Sequence, residues 1–401
     1  MILEEKIDFL KMAEEIKEEL VYIRRDIHEN PELGFEEYRT SKKIKDILDK
    51  EGIPYKSVAG TGIYALIKGE KAGADKVKTI ALRGDIDALP IKDAKVCSYT
   101  SKVEGKMHAC GHDAHTTILL GATKILNSIK KELKGNIVLL FEPAEETVGG
   151  AKYMIKEGVL EDPYVDAIIG LHVSEAIEAG KIGIKRDVFN AASNPFTIKV
   201  KGKGGHGAHP EDTIDPILIA SNIIMSLQSI VSRELSPVYP SVITIGSIHG
   251  GTAENIIPKE VEIKGIIRTM TNEQREYAKK RVTEISKGIA ESLRGRVEIK
   301  IDESYPCLYN DDEMVKLLED TAPRVIGEEN IIKLKHPSMG VESFAYFAME
   351  RPSVFYFLGS ANFEKGISNP AHGDLFDIDE NCLPIGVALQ CNMAYEYLTR
   401  E

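Results

Sequence analysis

The feature that most constrains the fold is a change in the order of its elements partway along the chain. Up to about residue 186, short apolar runs rich in β-formers alternate with helical patterns. The runs "GIYALIKG", "TIALRGDID", "NIVLLFEP" and "DAIIGLHV" are interleaved with "HTTILLGATKILNSIKKEL" and "GAKYMIKEGVL". Strands alternating with helices predict an α/β layer on a mostly parallel sheet. From 187 the order becomes strand "NPFTIKVKG", helix "TIDPILIASNIIMSLQSIVSREL", strands "SVITIGSIHG" and "VEIKGIIRTM", helix "NEQREYAKKRVTEISKGIAESL" and strand "RVEIKIDES". That is βαββαβ, the ferredoxin-like order, and it is complete in itself. After about 303 the alternation resumes with the strand "SVFYFLGS" and the closing helix "NCLPIGVALQCNMAYEYL". The expected architecture is an α/β domain with a mixed, mostly parallel sheet, built from 1–186 and 303–401. A ferredoxin-like domain over 187–302 interrupts it. At the start of the chain, Ile7, Leu10, Ile16, Leu20, Ile23 and Ile27 predict one long amphipathic helix stopped near Pro31. "TSKKIKDILDKEG" predicts a second helix, ending on Gly52.

Composition narrows the function classes. A formal charge of −12 argues against general nucleic-acid binding, which needs basic patches to displace counterions. No apolar run in the sequence approaches the length of a membrane span, and the acidic start "MILEEKIDFLKMAEEIKEEL" lacks the layout of a signal peptide. Five scattered cysteines do not form a disulfide framework, so the expectation is a cytoplasmic protein with free thiols.

Chemistry concentrates in "MHACGHDAH", which holds three of the ten histidines and one of the cysteines. Cys110 and His112 form C-x-H, and an extended or turning backbone places alternate side chains on one side, where a thiolate and an imidazole bind a divalent ion. A buried Cys beside a helix-capping His-Asp pair would produce the same letters. Three further segments add ligand types. "LLFEPAEE" runs a strand into Glu145 and Glu146, and adjacent strand residues point to opposite faces, so one Glu is free to bind metal while the other faces solvent. "IIGLHV" ends a strand on His172, and "NPAHGDLF" sets His372 in a loop. Strand ends are where α/β sheets build their sites. "GDIDALP" carries Asp85 and Asp87. A carboxylate there can orient a metal-binding His, and for Asp85 a solvated turn before Pro90 is the competing reading.

At these residues the chain resembles the M20 metallopeptidases, in particular their amidohydrolase branch of aminoacylases, hippurate hydrolases, auxin-conjugate hydrolases and related carboxypeptidases. The pieces that carry the likeness are "RRDIHENPELGFEE", "GDIDALP", "MHACGHDAH", "FEPAEE", "GLHV", "GKGGHGAHP", "GTAENIIP", "GIIRTM" and "NPAHGDLF", in order over nearly the whole chain. The resemblance implies that Cys110, His112, Glu146, His172 and His372 bind two divalent ions per subunit, zinc first, with manganese or cobalt as alternatives. It implies that Glu145 is the general base and that Asp87 supports the metal shell. His206 would be an oxyanion donor reaching across from a partner subunit of a homodimer or homotetramer, and Asn255 and Arg268 would face the substrate. Two positions depart from the family pattern: Glu211 stands where a His is common, and Ser343 where an Asp is frequent, beside Glu342.

The implied activity is hydrolysis of N-acyl amino acids to a free amino acid and a carboxylate. A carboxypeptidase acting on short or N-blocked peptides is the alternative. A metal or redox sensor switching on Cys110 is a third reading, disfavoured because a sensor needs ligands but neither a spare carboxylate such as Glu145 nor the His206 donor.

Overall fold

The computed structural model describes residues 7–71 and 77–400. The opening residues 1–6 of the acidic N-terminal stretch lie outside the described residues. The chain forms two compact units, one built from 1–189, 309–336 and 343–401, the other from 190–308 and 337–342.

The first unit holds an eight-stranded sheet in the order Tyr55–Val58, Gly62–Lys68, Asn136–Glu142, Thr79–Asp85, Ala167–Glu178, Ser353–Ala361, Ile182–Ile184 and Ile331–Lys333. The middle pairings, from Asn136–Glu142 through Ser353–Ala361, are parallel, and antiparallel pairings occur toward both sides. Thr79–Asp85 is buried at every position, as expected for a central strand covered on both faces. The parallel register sets Asp85 opposite Glu142. Leu82 lies opposite Ile169, so His172 falls level with that pair. The helix His112–Ser128 packs against the closing helix Cys382–Thr399 over the same core.

Four sequence expectations for this unit need correction. The first helix is two, Phe9–Glu15 and Lys17–Glu29, because Ile16 leaves helical geometry (φ −106°, ψ 10°) although no Pro or Gly stands there. The strand before the paired carboxylates stops at Glu142, and Glu145–Val148 is a short helix. Strand alternation therefore cannot be what separates Glu145 from Glu146; successive helical residues diverge by about 100° instead. His172 lies inside its strand, which runs on to Glu178, rather than at its end. Asp113 does not cap the helix after "MHACG": the N-cap is Gly111, with no side-chain cap bond.

The second unit has a four-stranded antiparallel sheet in the order Val242–His249, Glu260–Thr269, Ala192–Lys201 and Arg296–Ile301, which is the ferredoxin-like strand order. The helices Pro216–Ser229 and Asn272–Ser292 pack on it through Ile219, Ile223, Leu227, Ala278, Val282 and Ala290. The helical stretch Pro216–Glu234 is long and apolar enough to cross a membrane by length and composition, which the sequence reading did not expect. Its face toward the sheet is buried in the unit's own core. The unit begins at 190 and takes in 337–342, which the sequence reading gave to the outer domain. Bonds to the carbonyls of this segment explain the difference: the Ala191 N–H donates to Ser338 O, and the Arg268 side chain donates through Nη1 to Met339 O.

Candidate metal centre

Gly111 sets the geometry of C-x-H. Its φ of +85° is left-handed, and a Cβ there would come within 2.2 Å of Val173 Cγ2, so only glycine fits the turn from Cys110 into His112. The turn leaves Cys110 Sγ 3.3 Å from His172 Nε2. Two other bends are left-handed without glycine: Ala144 (φ 53°), just before the paired carboxylates, and His372 (φ 63°). Strain of this kind persists where surrounding contacts enforce it. Glu37 supplies one such contact at Ala144, accepting its N–H at 2.8 Å.

The imidazoles are oriented by what their other nitrogens do. His112 Nδ1 faces Asp87 Oδ1 at 3.2 Å, which keeps a proton on Nδ1 and leaves Nε2 as the nitrogen at which a metal would replace a proton. His172 Nδ1 faces the Val173 carbonyl at 2.6 Å, which leaves its Nε2 turned to Cys110. Asp87 also accepts the Glu146 N–H at 3.0 Å and so fixes two candidate ligands at once. His372 Nε2 lies 3.2 Å, and His112 Nε2 3.9 Å, from Glu146 Oε1.

Two groups of potential ligand atoms, Cys110, His112 and His172, and Cys110, Glu146 and His372, each fall within 4.8 Å and share Cys110. The donor set fits a pair of divalent ions on a direct observation: His112 Nε2 and Glu146 Oε1 are buried without a hydrogen bond. Orphaned polar atoms are rare inside proteins, and a metal satisfies both. The local field agrees. Burial opposes a charge on His112, yet Asp85, Asp87 and Cys110 hold its imidazole well above the ordinary value. The Glu146 carboxylate beside His372 raises the His372 value too. Burial, reinforced by Glu146, pushes the Cys110 thiol up. A pocket that holds protons this firmly is one that divalent ions enter by displacing them.

Asp85, His112 and His115 form another close group, but it is a scaffold. His115 Nδ1 meets Asp85 Oδ1 at 2.6 Å, and His115 Nε2 accepts the Val173 N–H at 2.9 Å, so neither nitrogen is left for a metal. Burial, only partly offset by Asp85, pushes His115 down to about 4 and keeps it neutral. The second oxygen of Asp85 pairs with Arg83 Nη1 at 2.7 Å. This favours a supporting role for Asp85 over a solvated turn.

Sequence reasoning missed a second buried array that ties the site's loops together. Arg24, fully buried, reaches Asp113 Oδ2 at 2.8 Å and Asp377 Oδ1 at 2.9 Å, and His28 Nδ1 meets Asp113 at 2.7 Å. It joins the residue after His112 to the loop after His372. The available signal was a spacing of four between Arg24 and His28 in "RRDIH", which puts both on the helix face that carries Leu20 and Ile27.

The remaining candidates lie in the second unit. His206 pairs with Ile256 in a two-stranded ribbon, beside Asn255, whose carbonyl accepts the Gly207 N–H at 2.8 Å. His206 Nδ1 accepts the Ala208 N–H at 3.1 Å, so its Nε2 bears the proton. Arg268 lies on Glu260–Thr269, half-buried, and among the described residues no carboxylate pairs with it. Glu211 is an exposed neighbour of His209.

Such a centre on such a fold defines a metal-dependent hydrolase of amide bonds. The model of peptidase family M20/M25/M40 matches residues 81–396, and the chain belongs to that family. It is 40% identical to an IAA-amino acid hydrolase of Arabidopsis thaliana, over 94% of this chain and 86% of that one. It is 38% identical to thermostable carboxypeptidase 2 of Saccharolobus solfataricus, over 96% and 97% of the two chains. The crystal structure of the Bacillus subtilis YXEP protein, a dinuclear metal binding peptidase from the M20 family, superposes with a TM-score of 0.83 at 33% identity, covering 96% of this chain and 99% of that one.

Proposed function

We propose that the enzyme cleaves N-acyl amino acids to an amino acid and a carboxylic acid, with Cys110, His112, Glu146, His172 and His372 holding two divalent ions. Bound there, the ions supply Lewis acidity that polarises the amide carbonyl and acidifies water. Thiolate and imidazole donors favour zinc, with manganese or cobalt next, and elemental analysis of the purified protein checks this. Glu145, held by the Ser343 N–H at 2.8 Å, accepts a proton from the attacking water and passes it to the leaving nitrogen. The Nε2–H of His206 donates to the developing oxyanion. Arg268 binds the substrate carboxylate, with Asn255 beside it.

The observation that carries the substrate class is the half-buried Arg268 guanidinium, which has no acidic partner among the described residues. The likeness to an IAA-amino acid hydrolase and to the N-acetyl-L-cysteine deacetylase of Bacillus subtilis (39% identical over 92% of this chain and 85% of that one) supports the acyl side. The carboxypeptidase likeness favours a second reading, in which the scissile bond joins the last two residues of a peptide. A panel of N-acetyl, N-benzoyl and N-carbobenzoxy amino acids and dipeptides separates the two. Higher kcat/KM on the dipeptides overturns the first reading, and no turnover of any member by the metal-loaded enzyme overturns both.

We further propose that the chain is cytoplasmic and works as a homodimer. Its thiols are unpaired, and a disulfide found in protein isolated under non-reducing conditions would contradict that location. The second unit exposes Leu218 and Met225, seven residues apart on one helix stripe, and has Val242–His249 as an edge strand. Together with the resemblance, this supports a His206 donor that serves the other subunit's centre. Mixing inactive His206→Ala with inactive Glu145→Gln should then restore part of the activity. No recovery despite proven subunit exchange would place His206 in its own chain's chemistry or outside it.

A further inference from the structure

The residue that holds Glu145 is itself held by an unusual run of buried charge. Asp85 Oδ2 pairs with Arg83 Nη1 at 2.7 Å, and Arg83 Nε donates to Glu142 Oε2 at 2.7 Å. The other oxygen of Glu142 accepts the Ala151 N–H at 2.6 Å and the Ser343 hydroxyl. The Ser343 N–H in turn donates to Glu145 Oε1. Asp85, Arg83, Glu142 and Ser343 are all at most 1% exposed, and Glu145 is 7% exposed. One guanidinium thus serves two carboxylates, with Glu145 a third acid at the end of the chain of contacts. The backbone N–H that meets Glu145 would exist whatever side chain stood at 343. What the side chain decides is where that N–H points, because the hydroxyl ties residue 343 to Glu142 and through it to the central strand.

We propose that Ser343 is the positioning residue of Glu145, and that its hydroxyl acts as the neutral donor which a charged Glu142 requires. A side chain without a donor removes the tie from residue 343 to Glu142 Oε1, which keeps the Ala151 N–H, and frees residue 343 to turn its N–H away from Glu145. A carboxylate at 343 does worse, since it confronts Glu142 in a buried site where Arg83 already serves both Asp85 and Glu142. The inference rests on Glu145 being the general base. It predicts a loss confined to kcat, because substrate and metal contacts are untouched while the proton acceptor is misaimed.

The test is a double-mutant cycle on the metal-loaded enzyme, reading kcat, KM, metal content and melting temperature. Ser343→Ala should lower kcat about tenfold, and Ser343→Asp about a hundredfold, the scale that misplacement of a reacting group costs, with KM and metal content near wild type. Replacing Glu142 by Gln in the Ser343→Asp background gives the pair a donor again, through the amide, and should recover at least about tenfold of the lost kcat. A merely structural serine would lower the melting temperature and leave kcat alone, so wild-type kcat in folded Ser343→Ala overturns the proposal. Simple additivity of Glu142→Gln and Ser343→Asp overturns it too. If Ser343→Ala does not fold, the double exchange decides: folded but no more active than Ser343→Asp, it sinks the idea. Glu145→Gln is assayed alongside. Activity surviving there removes the base assignment, whereas loss there with normal turnover in Ser343→Ala removes only the positioning role.

Discussion

Glu145→Gln is expected to lower kcat by about 10²–10⁴-fold, the range for removing a general base, while the protein keeps its metal. Glu146→Gln and Cys110→Ser should instead lose metal, and activity with it. The distinction comes from where the carboxylates point. Glu146 Oε1 is a buried, unbonded oxygen 3.2 Å from His372 Nε2, and Cys110 belongs to both groups of potential ligands. Glu145 is turned to the Ser343 N–H instead. The assignment is exposed to refutation because His112, Glu145 and Glu146 also lie within 4.8 Å of one another. If Glu145→Gln loses metal as severely as Glu146→Gln, the two glutamates have been given each other's roles. Metal analysis and initial rates on the same three preparations decide.

What the sequence revealed and what it hid follow from the range of the interactions. The ferredoxin-like order was legible because each strand and helix carries its own periodicity, and so was the clustering of Cys110 and His112, which are neighbours in the chain. The partners that orient them were not. Ser343 meets Glu145 across 198 positions, and Arg24 meets Asp377 across 353. No local pattern encodes such pairs. The argument from strand alternation at Glu145 and Glu146 led to distinct roles through a wrong geometry, since Pro143 and the left-handed Ala144 end the strand before the pair is reached. The grouping of 337–342 with the second unit has a similar cause. The segment's carbonyls accept from the Ala191 N–H and from the Arg268 side chain, both distant in the chain, and no local pattern announces such bonds. His115 would have passed for a metal ligand on residue type alone. Only its two occupied nitrogens show that it is a strut.

Arg268→Ala should cost about 2–4 kcal/mol in kcat/KM toward a substrate with a free α-carboxylate, the scale for leaving a desolvated charged partner unpaired. Amidating that carboxylate should cost wild type about as much. The expectation starts from an imbalance: a chain of net charge −12 keeps a half-buried guanidinium that no described carboxylate neutralises. Burial depresses the Arg268 value, so part of its desolvation is already carried by the folded state. One of its N–H groups is committed to Met339 O at 3.1 Å, which fixes the plane of the fork on its strand. A guanidinium so held recognises a planar anion by two parallel hydrogen bonds, a geometry that lysine does not reproduce. Arg268→Lys should therefore recover only part of the loss. The deciding measurement is the cycle formed by wild type and Arg268→Ala against the carboxylate and amide substrates. With the carboxylate already removed, deleting the arginine should matter much less. If the two losses simply add, Arg268 does not read the carboxylate. The requirement for a free carboxylate beside the scissile nitrogen, common to N-acyl amino acids and peptide C-termini, then has to come from another group or be abandoned.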